Sequence, residues 1–74
     1  MVIKLVTVLS NAVEQAAQIK KSGMKCIDIE GLETIVKSDT NEYVDQFVRL
    51  TFKGSILQAL KADRILEKMK AKEI

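Results

Sequence analysis

The side chains that most often do chemistry at neutral pH are scarce in this chain. Histidine is absent and there is one cysteine, Cys26. A general base of the usual kind is therefore missing, and the thiol has no histidine to activate it. Cys26 sits among apolar neighbours in a predicted strand, "MKCIDI", and reads as an inert core thiol. Asp28 and Glu30 share one face of that strand and could pair as acid and base. The same spacing is that of a solvated hairpin face, which is the reading adopted. A lone thiol with scattered carboxylates makes no zinc site. The stretch after the first strand, "VLSNAVEQ", lacks the glycines of a phosphate cradle. The expectation is a chain without catalytic residues, metal, cofactor or small-molecule substrate.

A second chemistry is phosphate binding. Lys61, Arg64, Lys68 and Lys72 recur at spacings of three, four and four, which aligns them along one flank of a helix. Such a stripe can track a phosphate backbone without reading sequence. Lys20, Lys21 and Lys25 form a smaller cluster. Phe47 and Tyr43, placed on the outer face of a strand, could stack on bases. Against this, Asp63 and Glu67 interrupt the basic stripe, and the net charge is only +2, from twelve basic and ten acidic residues. Composition demands neither nucleic acid nor a membrane surface.

The elements that would position these groups follow from pattern. "VIKLVTVL", residues 2–9, is β-branched and aliphatic on both alternating faces, which predicts a strand covered on both sides. It is too short for a membrane span and lacks a signal-peptide cleavage site. A helix follows, with Asn11 as its expected cap, Glu14 completing a capping box, and Ala12, Val13, Ala16, Ala17 and Ile19 as the face laid on a sheet. "KKSG" ends it. Strand, helix and "MKCIDI" suggest a βαβ crossover.

Residues 25–53 admit two readings. In the first they form a long hairpin with "SDTNE" as the loop and a bulge at Glu30–Gly31. Its trial pairs are Val36–Val44, Leu32–Val48, Ile29–Leu50 and Ile27–Phe52, with Val44, Val48, Leu50 and Phe52 facing inward. In the second, residues 41–53 are a helix capped by Asp39 and Glu42. Aromatic and β-branched enrichment favours the strand. The final helix, "SILQALKADRILEKMKAKEI", opens on a Ser55–Gln58 capping box.

That helix is apolar on two sides. At about 100° per residue, Ile56, Leu57 and Leu60 fall in one sector and are assigned to the sheet. Ala62, Ile65, Leu66 and Met69 fall nearly opposite. The second side has three candidate uses: the chain covers it itself, a second copy packs on an Ala59–Ala62–Leu66–Met69 seam, or a partner's groove receives it. A chain of 74 residues buries only about 60% of its unfolded surface and usually needs a staple. With one cysteine and no metal site, association is the staple that remains.

The sequence thus predicts a single α+β domain over residues 1–74, in β-α-β-β-α order, with a three-stranded sheet packed by two helices. Its runner-up has residues 41–53 helical. The expected function is a small non-catalytic interaction or regulatory protein, acting as a homodimer or docked on a partner protein. Contact is expected through Ala62, Ile65, Leu66 and Met69. The alternative is a nucleic-acid-binding regulator using Lys61, Arg64, Lys68 and Lys72. Lone-cysteine usage places the chain in a reducing cytoplasm.

Overall fold

The computed structural model describes residues 1–72, with side chains through Met69. Five elements run in the order β1 (Val2–Val8), α1 (Leu9–Lys20), β2 (Lys25–Val36), β3 (Tyr43–Lys53) and α2 (Ile56–Lys72). This is the α+β order expected, and residues 43–53 are a strand, which overturns the helical runner-up. The reason is pairing. β3 is the middle strand of a sheet ordered β1-β3-β2 and bonds antiparallel to both neighbours, so its backbone is satisfied on both edges.

β1 and β2 therefore point the same way but do not touch. The expected βαβ crossover is split, with β3 inserted between its two strands. Both helices lie on one face of the sheet. That face carries Ile3 and Leu5 from β1, Cys26 from β2, and Val48, Leu50 and Phe52 from β3. The β1 register matches Ile3 to Phe52 and Leu5 to Leu50, so apolar pairs stack beneath the helices. Phe52, Leu50, Ile19 and Met24 are the largest fully buried side chains. The other face of the sheet is open. Val2 and Val6 lie on it and are exposed, so the strand predicted to be covered on both sides is covered on one.

The hairpin forms as read, but its register is less regular than one bulge. Ile29 opposes Leu50 as expected. Phe52 opposes Cys26 rather than Ile27, Val48 opposes Gly31 rather than Leu32, and Val36 opposes Tyr43 rather than Val44. Irregularities fall between Cys26 and Asp28, Gly31 and Thr34, and Ile35 and Val36. Ile27 is thereby left out of the ladder. Gly31 lies where β2 shifts, and a Cβ there would lie 2.8 Å from Nε2 of Gln46, displacing an amide that donates to the Leu32 carbonyl at 3.3 Å. The far end of the hairpin runs past the helices, and Val44, expected inside, is exposed. The loop closes with Lys37 N–H donating to Glu42 at 2.9 Å and Asn41 in the left-handed region at φ 55°.

Helix α1 starts two residues before the expected Asn11 cap. Val8 occupies the cap position in extended backbone and offers no side-chain acceptor. The acceptor comes instead from β3. Asp45 receives the Ser10 N–H at 3.2 Å and the Ser10 hydroxyl at 2.5 Å. These bonds, with a further one from the Gln46 N–H, hold the Asp45 carboxyl below its usual pKa. The helix ends as predicted, at Gly23 with φ +93°, where a Cβ would come within 2.6 Å of Gln58 Nε2. Gln58 belongs to the predicted capping box of α2: its N–H donates to Ser55 Oγ at 3.2 Å, and the Ser55 N–H donates back to its Oε1 at 2.9 Å.

Candidate interaction surface

Helix α2 has the reverse orientation to the one its sequence suggests. Ala62 and Ala59 are buried, and Leu66 packs against the core. Ile56, Leu57 and Leu60 face solvent, with 69%, 72% and 55% of their surface exposed. The cause is close approach to the core. Helix α2 packs against α1, whose buried residues are Ala12 and Ile19, with half-buried Ala16 between them. The small side chains of Ala59 and Ala62 let α2 lie close to the core, where a leucine face would hold it off. The Ala59–Ala62–Leu66 seam is therefore filled within the chain.

Among the contact residues expected from sequence, burial removes Ala62. Ala62 has no accessible surface and cannot meet a partner, and most of Leu66 serves the core. Ile65 and Met69 are half-buried. With Lys68 they face Glu14, Gln15 and Gln18 of α1 across a groove of about 460 Å³. Gln15 Oε1 is buried there without a hydrogen-bond partner among the described residues. The surplus apolar face of α2 is the one bearing Ile56, Leu57 and Leu60.

A second apolar surface lies on the open face of the sheet. Val6, Leu32 and Phe47 line a shallow hollow there, edged by Glu33. Cross-strand register brings Val8 beside Phe47 and Val6 beside Arg49 on this face. Arg49 pairs with Glu30 at 3.0 Å, which keeps the middle of the face polar. Asp28 and Glu30 both lie exposed, the solvated hairpin face anticipated for them. Cys26 is half-buried beneath the helices, with its thiol 3.6 Å from the Asp28 carbonyl. Among the described residues, no three histidine, cysteine, aspartate or glutamate side chains converge as metal ligands.

The basic stripe is only partly described. Lys61, Arg64 and Lys68 are exposed on α2, and the Lys72 side chain lies outside the described residues. The helix carries these cations on the layer opposite the open sheet face where Phe47 sits. The aromatic and basic groups that single-strand binding would combine are therefore not brought together. Among the described residues no helix is long and apolar enough to cross a membrane.

Sequence reasoning missed the exposed face of α2 because it ranked faces by side-chain size. The usable signal was the alanines. Ala59 and Ala62 are the α2 residues that lie buried in the core. No family model, curated protein or solved structure matches the chain.

Proposed function

We propose that this chain is a non-catalytic interaction protein that works by associating with another polypeptide, a second copy or a different protein. One observation supports this most: the surface it leaves open. The chain exposes 5529 Å², against about 4,600 Å² expected for a folded monomer of its size. The difference is of the order of the roughly 800 Å² that one partner contributes to a standard interface. Its radius of gyration is 13.8 Å, against about 11 Å for a compact domain of this length. Exposed large apolar side chains include Val6 and Phe47 of the sheet and Ile56, Leu57 and Leu60 of α2. Apolar surface of this kind, rimmed by charge, marks association sites.

The test is hydrodynamic. Sedimentation velocity of the full chain, alone and with its host extract, should show a dimer or a stoichiometric complex. Phe47→Glu or Leu60→Glu should weaken a complex that covers the sheet face or α2, while far-UV circular dichroism stays unchanged. A chain that stays monomeric, and forms no complex sensitive to either change, would refute the reading.

A further inference from the structure

The two edges of the sheet are not equivalent. The β2 edge is interrupted three times and carries Lys25, Asp28, Glu30 and Glu33. Bulges and charges are the usual devices that keep an edge from pairing with another chain. The β1 edge has a single such device, Lys4, and no bulge. Its seven residues pair with β3 without a shift, it contains no proline, and Lys4 is its one charge.

The free groups on that edge follow from the ladder. Met1 and Gly54 exchange both bonds, the Met1 amine donating at 2.7 Å and the Gly54 N–H at 3.0 Å. Antiparallel pairs alternate between bonded and non-bonded, so Ile3, Leu5 and Thr7 bond to β3. Val2, Lys4 and Val6 then aim their N–H and C=O groups away from β3, and Val8 its N–H, the Val8 carbonyl being the first acceptor of α1. Among the described residues, no backbone or side-chain bond from outside the sheet and helices reaches them.

We infer that β1 pairs antiparallel with β1 of a second copy of this chain, about a two-fold axis at Leu5. This rests on the association reading above and names its occupant and register. Centred there, Lys4 opposes Val6 of the second copy, so their free N–H and C=O groups meet, and Val2 opposes Val8, whose N–H is free. Leu5 meets its own mate, and Ile3 meets Thr7, on the helix-covered face. No like charges are opposed. An axis at Lys4 would set two lysines against each other, and an axis at Val6 would leave Val2 and Ile3 unmatched. The half-buried Ile3 and Leu5 gain their missing neighbours in the Leu5 register. The product is a six-stranded antiparallel sheet whose outer edges are the two guarded β2 strands.

Sedimentation equilibrium of the full chain, from about 5 to 500 µM, reads the association. Val6→Pro removes an N–H that points at the free edge and leaves the bonds to β3 intact. It should raise the dimer dissociation constant at least tenfold. Val6→Lys, which sets a lysine opposite Lys4 of the second copy, should do the same, and serves if the proline variant loses its circular dichroism. Leu5→Cys in a Cys26→Ser background places two thiols in a non-bonded pair, with Cα atoms about 4.5 Å apart and within disulfide reach. It should oxidise to a covalent dimer, whereas Thr7→Cys in the same background should not. A monomer throughout the concentration range overturns the inference, while docking on a different protein would still satisfy the association reading. A dimer indifferent to both Val6 variants and not trapped at Leu5→Cys also overturns it, and locates self-association elsewhere.

Discussion

Replacing Leu57 by glutamine tests the orientation of α2 directly. Leu57 is 72% exposed, so it buries about a quarter of its surface. Complete burial of a leucine contributes roughly 1.5–3 kcal/mol, so the part at stake is about 0.4–0.8 kcal/mol. Leucine and glutamine have similar helix propensities, which adds little. Were Leu57 a core residue, the large loss of apolar contact would cost about 2–5 kcal/mol. The reciprocal change is Ala62→Leu. Ala62 is fully buried where α2 meets the core, and added methylenes there should cost about 1–3 kcal/mol. Urea unfolding followed by circular dichroism separates the two. With a slope of about 1 kcal/mol/M, Leu57→Gln should lower the midpoint by less than about 1 M and Ala62→Leu by about 1–3 M. Protein concentration must be held constant, because association shifts apparent stability. A midpoint loss of 2 M or more for Leu57→Gln, together with an unchanged Ala62→Leu, would refute the packing described.

Three further changes probe the fold. Phe52→Ala empties the centre of the core and should cost about 3–5 kcal/mol, enough to leave much of so small a chain unfolded by circular dichroism. Gly23→Ala forces a side chain into a positive-φ position and against Gln58, and should lower the thermal midpoint, with a cost of about 1–2 kcal/mol or more. Asp45 has a depressed pKa, so the stabilisation it gives is full above the ordinary aspartate value near 3.9 and is lost as pH falls through the lower folded value. Asp45→Asn should therefore flatten the pH dependence of the urea midpoint below about pH 4, and an unchanged acid limb would show that Asp45 does not cap α1 in solution.

Much of the architecture was legible because its determinants are local. Ser55 and Gln58 sit three apart and make their capping box whatever surrounds them. Gly23 ends α1 because glycine tolerates the positive φ of a helix stop. The β-branched and aromatic residues of β3 gave its type, and Ile29–Leu50 gave one pair of its register. The start of α1 was not legible, since its capping acceptor, Asp45, lies 35 residues further along the chain. The position of Val44 was misjudged for a related reason. Its place in the alternation resembles that of Val48, but the helices stop short of it.

Sequence by itself determined the order of elements, their caps and turns, and an apolar content too large for one sheet face to hide. Periodicity and capping act over a few residues, and they survive any choice of neighbours. Only the tertiary structure decided which side of α2 is inside and that β1 is covered on one face alone. It laid α2 on Ala59 and Ala62, whose small side chains allow a close approach to the core, and so turned Ile56, Leu57 and Leu60 outward. It placed β3 between β1 and β2, which left β1 with an open edge of unpaired backbone groups. Those outcomes depend on which surfaces meet, a property of the assembled layers that no stretch of residues carries alone.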